Sequence, residues 1–312
     1  MKFLKAGGTA VDAVEVAIKS LEDREITNAG YGSNLTIDGV VEGDATIVDH
    51  LGRSGACGAV PMIKNPISLA RLILDQTNIP LSLRRIPPNI LVSAGARRFA
   101  EEHGMRTVPN EKLVHESAEF KDDNSDIISD TVGAIAVDFQ GNIAAGSSSG
   151  GIGMKHSGRM GPAALVGIGT AVLPANPKDK MGTSVAAVTS GTGEHMATTM
   201  ASHTCAERLY YNMRVDAGGS PVAEYDDDTL MKTFVSEAFM DHPGVKNQVS
   251  GGAIGVMAVK KTCKGVYFYF AHNTDSFALA SLSSNEKDPL VVMSRLGSRE
   301  SVARGGRKIK NN

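Results

Sequence analysis

Residues 129–151 read SDTVGAIAVDFQGNIAAGSSSGG, and the interpretation of the whole chain begins with this stretch. Two apolar segments, TVGAIAVD and NIAAGSS, flank the turn-like sequence FQGN. Strand-like runs separated by a short turn that contains glycine are typical of a β-hairpin. The return strand of such a hairpin ends beside the start of the first strand, so the sequence predicts that Ser148 and Ser149 lie next to Thr131.

Helix-like and strand-like segments surround this hairpin. Helices are predicted at 9–23, 65–77, 90–105, 194–211 and 229–240, and further strands at 184–190, 251–260, 265–276 and 276–282. Thr9 and Asp12 are spaced for a capping box at the start of the first helix. The polar, acidic segment 115–130 is predicted to be an exposed loop. Blocks of strands alternating with blocks of helices favour an α+β fold in which helices pack on the faces of sheets.

Composition excludes several classes of function. The formal net charge of −2 gives no electrostatic basis for binding nucleic acid or a membrane surface. No apolar run approaches the ~20 residues of a transmembrane helix, and the start of the chain lacks the apolar core of a signal peptide. Cys57, Cys205 and Cys263 are far apart and odd in number, so neither a disulfide framework nor a zinc site is expected. These features predict a reducing compartment, the cytoplasm, the nucleus or both.

Thr131 has two interpretations. The simpler one is a β-branched residue that opens a strand. The other is a nucleophile: scission before Thr131 would free an α-amine with a pKa of about 8, which could activate the hydroxyl of the same residue. This arrangement needs no nearby His or Cys, and residues 129–151 contain neither.

Three further features favour the nucleophile. Ser148 and Ser149 would supply a second hydroxyl, although a serine-rich turn has the same composition. Arg159, among glycines in KHSGRMG, could hold a carboxylate, although a surface arginine is the alternative. In TSGTGEH, Ser190 and Gly191 precede a predicted helix and could stabilise an oxyanion, whereas His195 is expected to have no catalytic part.

Several segments together resemble the N-terminal-nucleophile hydrolases of the plant-type asparaginase, isoaspartyl peptidase and glycosylasparaginase group. They are NAGYGSNL, IKNPIS, RIPP, residues 130–161, TSGTGEH and HNTDSFALASL, and they span nearly the whole chain. The resemblance implies a single domain over residues 1–312, an αββα four-layer sandwich made as a precursor. Scission between Asp130 and Thr131 would then give an α-subunit part, 1–130, and a β-subunit part, 131–312. A homodimer of such units, without a metal or organic cofactor, is also implied.

The resemblance assigns roles to individual residues. Thr131 is expected to be nucleophile and base, Ser149 the supporting hydroxyl, and Ser190 with Gly191 the oxyanion site. Substrate binding is assigned to Arg159, as the carboxylate clamp, and to Gly193. A supporting loop is assigned to Asn28, Gly30 and Asn34.

One position separates the subfamilies of this group. Asparaginases and isoaspartyl peptidases usually carry an Asp three residues after the arginine, which pairs with the free α-amine of the substrate, whereas this chain has Pro162. The interpretation drawn from Pro162 is an endopeptidase of the threonine aspartase (taspase) type, which cuts protein substrates after aspartate. The alternatives are an asparaginase or isoaspartyl (β-aspartyl) peptidase, or a homologue that does not mature and is inactive.

The start of the chain departs from the pattern of the group. Its members begin with a strand that bears an HAGAG-like motif before the first helix, whereas this chain begins almost at that helix. The resemblance therefore predicts that the first strand of the family is missing, and that one sheet edge is left unpaired.

Overall fold

The computed structural model describes residues 1–115, 131–216 and 218–309. Strands in these ranges are β1 (Glu42–Val48), β2 (Ser54–Pro61), β3 (Ile90–Val92), β4 (Val132–Val137), β5 (Ile143–Ser149), β6 (Thr170–Leu173), β7 (Ser184–Gly191), β8 (Met213–Val215), β9 (Pro221–Ala223), β10 (Ile254–Thr262), β11 (Gly265–His272), β12 (Ser276–Ser281), β13 (Leu290–Arg295) and β14 (Ala303–Ile309). Helices are α1 (Lys2–Lys5), α2 (Ala10–Glu22), α3 (Pro66–Gln76), α4 (Ser93–Glu102), α5 (Gly193–Thr198), α6 (Ala201–Tyr211), α7 (Asp227–Thr233), a π-helix (Phe234–Met240) and α8 (Pro243–Lys246). Short 3-10 turns lie at Gly30–Gly32, Ser82–Arg84, Asn110–Lys112 and Pro162–Ala164.

Two five-stranded sheets form the two inner layers. The first has the order β3-β2-β1-β5-β4 and the second the order β14-β11-β10-β7-β6. Helices α2, α3 and α4 pack on the outer face of the first sheet, and α6 and α7 on the outer face of the second. A third apolar cluster, from β1, β5, β6, β7, β10, β11 and β12, fills the space between the sheets. These layers agree with the predicted α+β sandwich.

The local predictions are mostly confirmed. Helix α2 has the capping box, with Thr9 and Asp12 bonded reciprocally, and β4 and β5 form the predicted antiparallel hairpin. The predicted helix 194–211 is two helices, α5 and α6, because Met200 between them adopts a left-handed conformation at φ 49°. The segment 90–105 begins with strand β3 before α4 starts. Of the predicted loop 115–130, only His115 lies among the described residues.

Strand β4 is the last strand of its sheet and pairs with β5 alone among the described strands. Its free side opens into a cleft of about 1990 Å³, which residues of α2, β10 and β12 also line. Within the described residues only α1 precedes α2. The expectation that a family strand is missing remains a prediction.

Glu22, the last residue of α2, joins three elements in the interior. Its side chain is fully buried, and Oε1 accepts hydrogen bonds from Ser148 Oγ at 2.6 Å and from the Ile67 backbone N–H at 3.0 Å. Burial raises the pKa of Glu22 to about 8, although the hydrogen bond from Ser148 opposes this shift. A largely neutral carboxyl therefore connects α2, β5 and α3 near neutral pH.

We expect Glu22 to make stability depend on pH. The folded protein keeps the Glu22 proton up to about pH 8, whereas an unfolded chain releases it near pH 4.5. Stability from this group is therefore complete below pH 4.5 and is lost as the pH rises towards 8, with a slope of at most ~1.4 kcal/mol per pH unit. Urea unfolding at pH 5, 6.5 and 8 should show that Glu22→Gln removes this slope.

The matched control for this experiment is Glu102→Gln, since Glu102 is exposed on α4. This variant should keep the pH dependence of the wild type. A Glu22→Gln profile that runs parallel to the wild type would rule out the buried carboxyl as the source of the slope.

At Gly55 on β2 the backbone of α3 lies so close to the first sheet that there is no room for a side chain. A Cβ at Gly55 would lie 2.1 Å from the Ala70 carbonyl oxygen and 2.4 Å from the Leu74 nitrogen. We expect Gly55→Ala to displace α3 and to lower the free energy of unfolding by about 1–3 kcal/mol. At Gly95, in α4, a Cβ would have no neighbour within 4 Å. Because alanine favours the helix over glycine, Gly95→Ala should raise the free energy of unfolding by about 0.5–1 kcal/mol. Denaturant unfolding of both variants measures the difference, and equal effects would contradict the packing described for α3.

Candidate active site

Thr131 lies half-buried immediately before β4. In the β4–β5 pair Val132 is opposite Ser148, and the same antiparallel register extended by one residue places Thr131 opposite Ser149. The expectation that the hairpin returns its serines to Thr131 is therefore confirmed. The catalytic roles assigned to these residues remain predictions.

The three serines at the end of β5 make different contacts. Ser147 Oγ shares a hydrogen bond of 2.7 Å with Thr170 Oγ1 on β6, and Ser148 Oγ donates to Glu22. Ser149 is buried, and its Oγ accepts a hydrogen bond of 3.0 Å from the Gly151 N–H in the turn that follows. Because Ser148 is engaged with Glu22, Ser149 is the better candidate for the second hydroxyl.

Ser190, near the end of β7, contacts Thr131 from the second sheet. The Thr131 N–H donates to Ser190 Oγ at 3.3 Å. This nitrogen is the one that scission before Thr131 would turn into an amine. The sequence predicted an oxyanion role for Ser190, and the structure adds a side-chain contact with the nitrogen of the candidate nucleophile.

Gly191 has a backbone conformation that requires glycine. Its φ is +149°, and a Cβ there would lie 2.0 Å from the Ala253 carbonyl oxygen. Thr192 N–H then donates to the same oxygen at 2.8 Å, so the chain turns closely over β10 before α5 begins. His195 follows as a buried residue of α5.

The predicted supporting loop contacts the turn after Ser149. The Asn28 carbonyl accepts a hydrogen bond from Gly150 N–H, and the side-chain amides of Asn28 and Asn34 both donate to the Gly151 carbonyl, all at 2.8 Å. Asn28 Oδ1 also accepts a hydrogen bond from Asn34 N–H, and Gly30, at φ +59°, begins the 3-10 turn between them. The loop thus stabilises the strand end that carries Ser149.

Arg159 is mostly buried and already holds one carboxylate. Its Nε and Nη2 donate to Glu194 Oε1 at 3.1 and 2.7 Å. Its Nη1 is buried and has no hydrogen-bond partner. One side of the guanidinium is therefore occupied, while Nη1 retains unused donor capacity for another acceptor.

Glu42 fixes the loop that carries Arg159. The buried Lys155 donates from Nζ to the Glu42 carbonyl oxygen at 2.7 Å, and Gly158 N–H donates to Glu42 Oε2 at 2.8 Å. Both contacts bind the loop to β1, in the middle of the first sheet.

Asp44, two residues further along β1, fixes the other end of this loop. Its carboxylate accepts hydrogen bonds from Ala59 N–H at 2.8 Å and Gly161 N–H at 2.7 Å. Burial raises the pKa of Asp44, and the positive charge of Lys155 and the two N–H donors oppose this shift. Burial also lowers the pKa of Lys155. Asp44, Lys155 and Arg159 thus lie close enough for each to influence the titration of the buried acid and the buried lysine.

Gly193, the other residue predicted to bind substrate, lies beside Arg159. A Cβ at Gly193 would be 3.0 Å from Arg159 Nη2 and 2.8 Å from Pro162 Cδ. Pro162 is buried and begins the 3-10 turn Pro162–Ala164. Arg159, Pro162, Gly193 and Glu194 thus form one cluster. Asp130, the other side of the predicted scission, lies outside the described residues.

Sequence analysis did not identify four residues of this site: Glu42, Asp44, Lys155 and Glu194. A signal existed for two of them. Glu42 and Asp44 interrupt the apolar run VVEGDATIV, and a charged residue inside a buried strand indicates a polar partner in the interior. Nothing in the sequence distinguished Lys155 or Glu194 from surface charges.

Neither a metal-binding cluster nor a membrane-spanning helix occurs among the described residues. Within ranges 1–115, 131–216 and 218–309, no group of three or more His, Cys, Asp or Glu side chains is arranged to hold a metal ion. None of the helices in those ranges is long and apolar enough to cross a membrane.

Comparison with known proteins corrects the predicted activity. The chain is 43% identical over 180 residues to an isoaspartyl peptidase/L-asparaginase of Mus musculus and 44% identical over 180 residues to that of Macaca fascicularis. These alignments cover 54% of this chain and 52% and 55% of the two relatives, so the chain spans about half of their length. The prediction of a threonine aspartase-type endopeptidase is wrong, because the relatives at this identity carry the name that was given as its alternative.

Two further matches cover more of the chain. An isoaspartyl peptidase of Escherichia coli (strain K12) is 31% identical over 240 residues, which is 74% of this chain and 70% of the relative. Residues 1–234 match the family model described as Asparaginase. The chain therefore belongs to this asparaginase family of N-terminal-nucleophile hydrolases.

Proposed function

We propose that this chain hydrolyses the β-carboxamide bond of aspartyl compounds, as an asparaginase or isoaspartyl peptidase, after cutting itself between Asp130 and Thr131. The observation that carries the proposal is the hydrogen bond of 3.3 Å from Thr131 N–H to Ser190 Oγ, at the point where the β4–β5 register brings Ser149 opposite Thr131. The names of the relatives support the substrate class.

The chemistry requires only groups of the chain itself. The freed amine of Thr131 takes the proton of its own hydroxyl, and Oγ1 attacks the β-carbonyl carbon. The bond to nitrogen breaks, the nitrogen leaves with that proton as ammonia or as a peptide amine, and an ester to Thr131 remains. Water then hydrolyses the ester and releases the β-carboxylate. Ser190 with Gly191 would stabilise the oxyanion, and Ser149 would hold the amine.

Arg159 accounts for the choice of substrate. Asparagine and β-aspartyl peptides share a β-carbonyl and a free α-carboxylate, whereas an α-linked peptide has its α-carboxyl group in the bond. The guanidinium of Arg159, whose side chain is 15% exposed, is suited to that α-carboxylate. No metal or organic cofactor enters the proposal. A homodimer of two-part units and a location in the cytoplasm or nucleus are further parts of the proposal.

Self-cleavage can be tested on the purified protein. We expect incubation to yield two fragments that meet at Asp130 and Thr131, with masses that add to the full chain plus one water. Thr131→Ala should remain intact because it lacks the attacking oxygen, while Thr131→Ser should still cut. Thr204→Ala, which removes a hydroxyl from α6, is the control and should cut like the wild type. Intact-mass spectrometry reads the result, and an uncut wild type would favour the inactive homologue.

Arg159 should control the affinity for the α-carboxylate. In cleaved protein we expect Arg159→Lys to raise KM for asparagine by about 10- to 100-fold, because a lysine ammonium cannot pair with Glu194 and with a second carboxylate in the fixed geometry of a guanidinium. Arg98→Lys, at an exposed position of α4, is the matched control and should leave KM unchanged. Ammonia release from asparagine measures both.

The substrate class is tested with two dipeptides. A β-aspartyl dipeptide should be cleaved, and the α-aspartyl dipeptide of the same composition should not. Cleavage of the α-linked dipeptide alone would refute the proposed function.

A further inference from the structure

We propose that Glu194 binds the free α-ammonium group of the substrate and makes the site selective for aspartyl compounds that carry it. This inference rests on the proposed function. It addresses the residue at position 162, where the family pattern usually has an amine-binding Asp and this chain has a proline.

Pro162 cannot take over the role of an acid. Its ring has neither a charge nor a hydrogen-bonding group, it is buried, and its Cδ faces Gly193. An ammonium group bound near Arg159 therefore needs its acceptor from another element of the fold.

The other acidic groups near Arg159 are engaged in the interior. Asp44 is completely buried and accepts hydrogen bonds from Ala59 N–H and Gly161 N–H, and Glu42 is buried and accepts one from Gly158 N–H. Among the described residues Glu194 is the carboxylate that forms an ion pair with Arg159, and 65% of its side chain is exposed.

Glu194 is held in place and still has a free oxygen. Its Oε1 accepts both hydrogen bonds from Arg159, while Oε2 makes no hydrogen bond to another described residue. Partial burial raises the pKa of Glu194, but the hydrogen bond and charge of Arg159 outweigh it, and the pKa lies below its usual value. The group is therefore anionic at neutral pH, when the substrate amine is a cation.

The two charges of the pair match the two charges on the α-carbon of the substrate. An α-carboxylate bound by the Arg159 guanidinium has its ammonium group one carbon away. Glu194 is bonded to Nε and Nη2 of the same guanidinium and its side chain is 65% exposed, so its carboxylate is open to an ammonium group that arrives beside Arg159. Opposite charges thus alternate around the site, which favours the zwitterion over a substrate that lacks the amine.

The test compares L-asparagine with succinamic acid, which is asparagine without the α-amine. In the cleaved protein we expect Glu194→Gln to lower kcat/KM for asparagine by about 10- to 100-fold and to change that for succinamic acid by less than about threefold. Glu194→Asp, which keeps the charge on a shorter side chain, should retain part of the preference for asparagine over succinamic acid. Glu224→Gln, which removes an acid paired with Arg214, is the matched control and should change neither value.

A purely structural role gives a different result. If Glu194 only orients Arg159, Glu194→Gln will impair both substrates to the same extent, because both carry the carboxylate that Arg159 binds. That outcome, or an unchanged preference, overturns the inference.

Binding separates this inference from the proposed function. Calorimetry with L-aspartate and succinate, which differ in the α-amine alone, measures the preference without turnover. A wild type that prefers aspartate and a Glu194→Gln variant that binds both equally would support the role of Glu194 even if no substrate were hydrolysed. Equal binding of the two by the wild type would refute it.

Discussion

The register of β5 is the constraint on which the site depends. Side chains alternate between the two faces of a strand, so Ser147 faces Thr170 on the second sheet while Ser148 faces Glu22 on α2. A shift of one residue would place each hydroxyl on the wrong face and leave a buried carboxyl without its donor. Because β4 pairs with β5, the same register positions Thr131 opposite Ser149.

Buried carboxyl groups fix the loops of the site to the strands and helices. Glu22, Glu42 and Asp44 all lie in the interior, where an unpaired acid would be costly, and each accepts at least one backbone N–H. The acceptors on β1 hold both ends of the loop that carries Arg159. The backbone that carries Arg159 is thus positioned by main-chain groups bonded to a central strand, while Glu194 orients the guanidinium.

The sequence predicts what is local and misses what is distant. The capping box of α2 and the β4–β5 hairpin depend on residues that are close in the chain, and both were predicted. The contact of Thr131 with Ser190 joins residues 59 apart, and that of Ser148 with Glu22 joins residues 126 apart. Periodicity carries no information about such contacts. Nor does it report the left-handed conformation of Met200, which divides an otherwise continuous apolar pattern into α5 and α6.

The wrong inference of an endopeptidase has a physical cause of the same kind. The presence or absence of an amine-binding acid was inferred from position 162. Because Pro162 has no carboxylate, the whole site was expected to have none that could bind an amine. The attraction between an ammonium group and an anionic oxygen depends on the distance between them. It does not depend on which segment of the chain carries the oxygen. Glu194 lies 32 positions after Pro162 in the sequence, yet both border Arg159 through the contacts of α5. The loop after Arg159 can therefore lack an acidic residue while the site keeps a carboxylate beside the guanidinium. The condition is that a neighbouring helix provides that carboxylate.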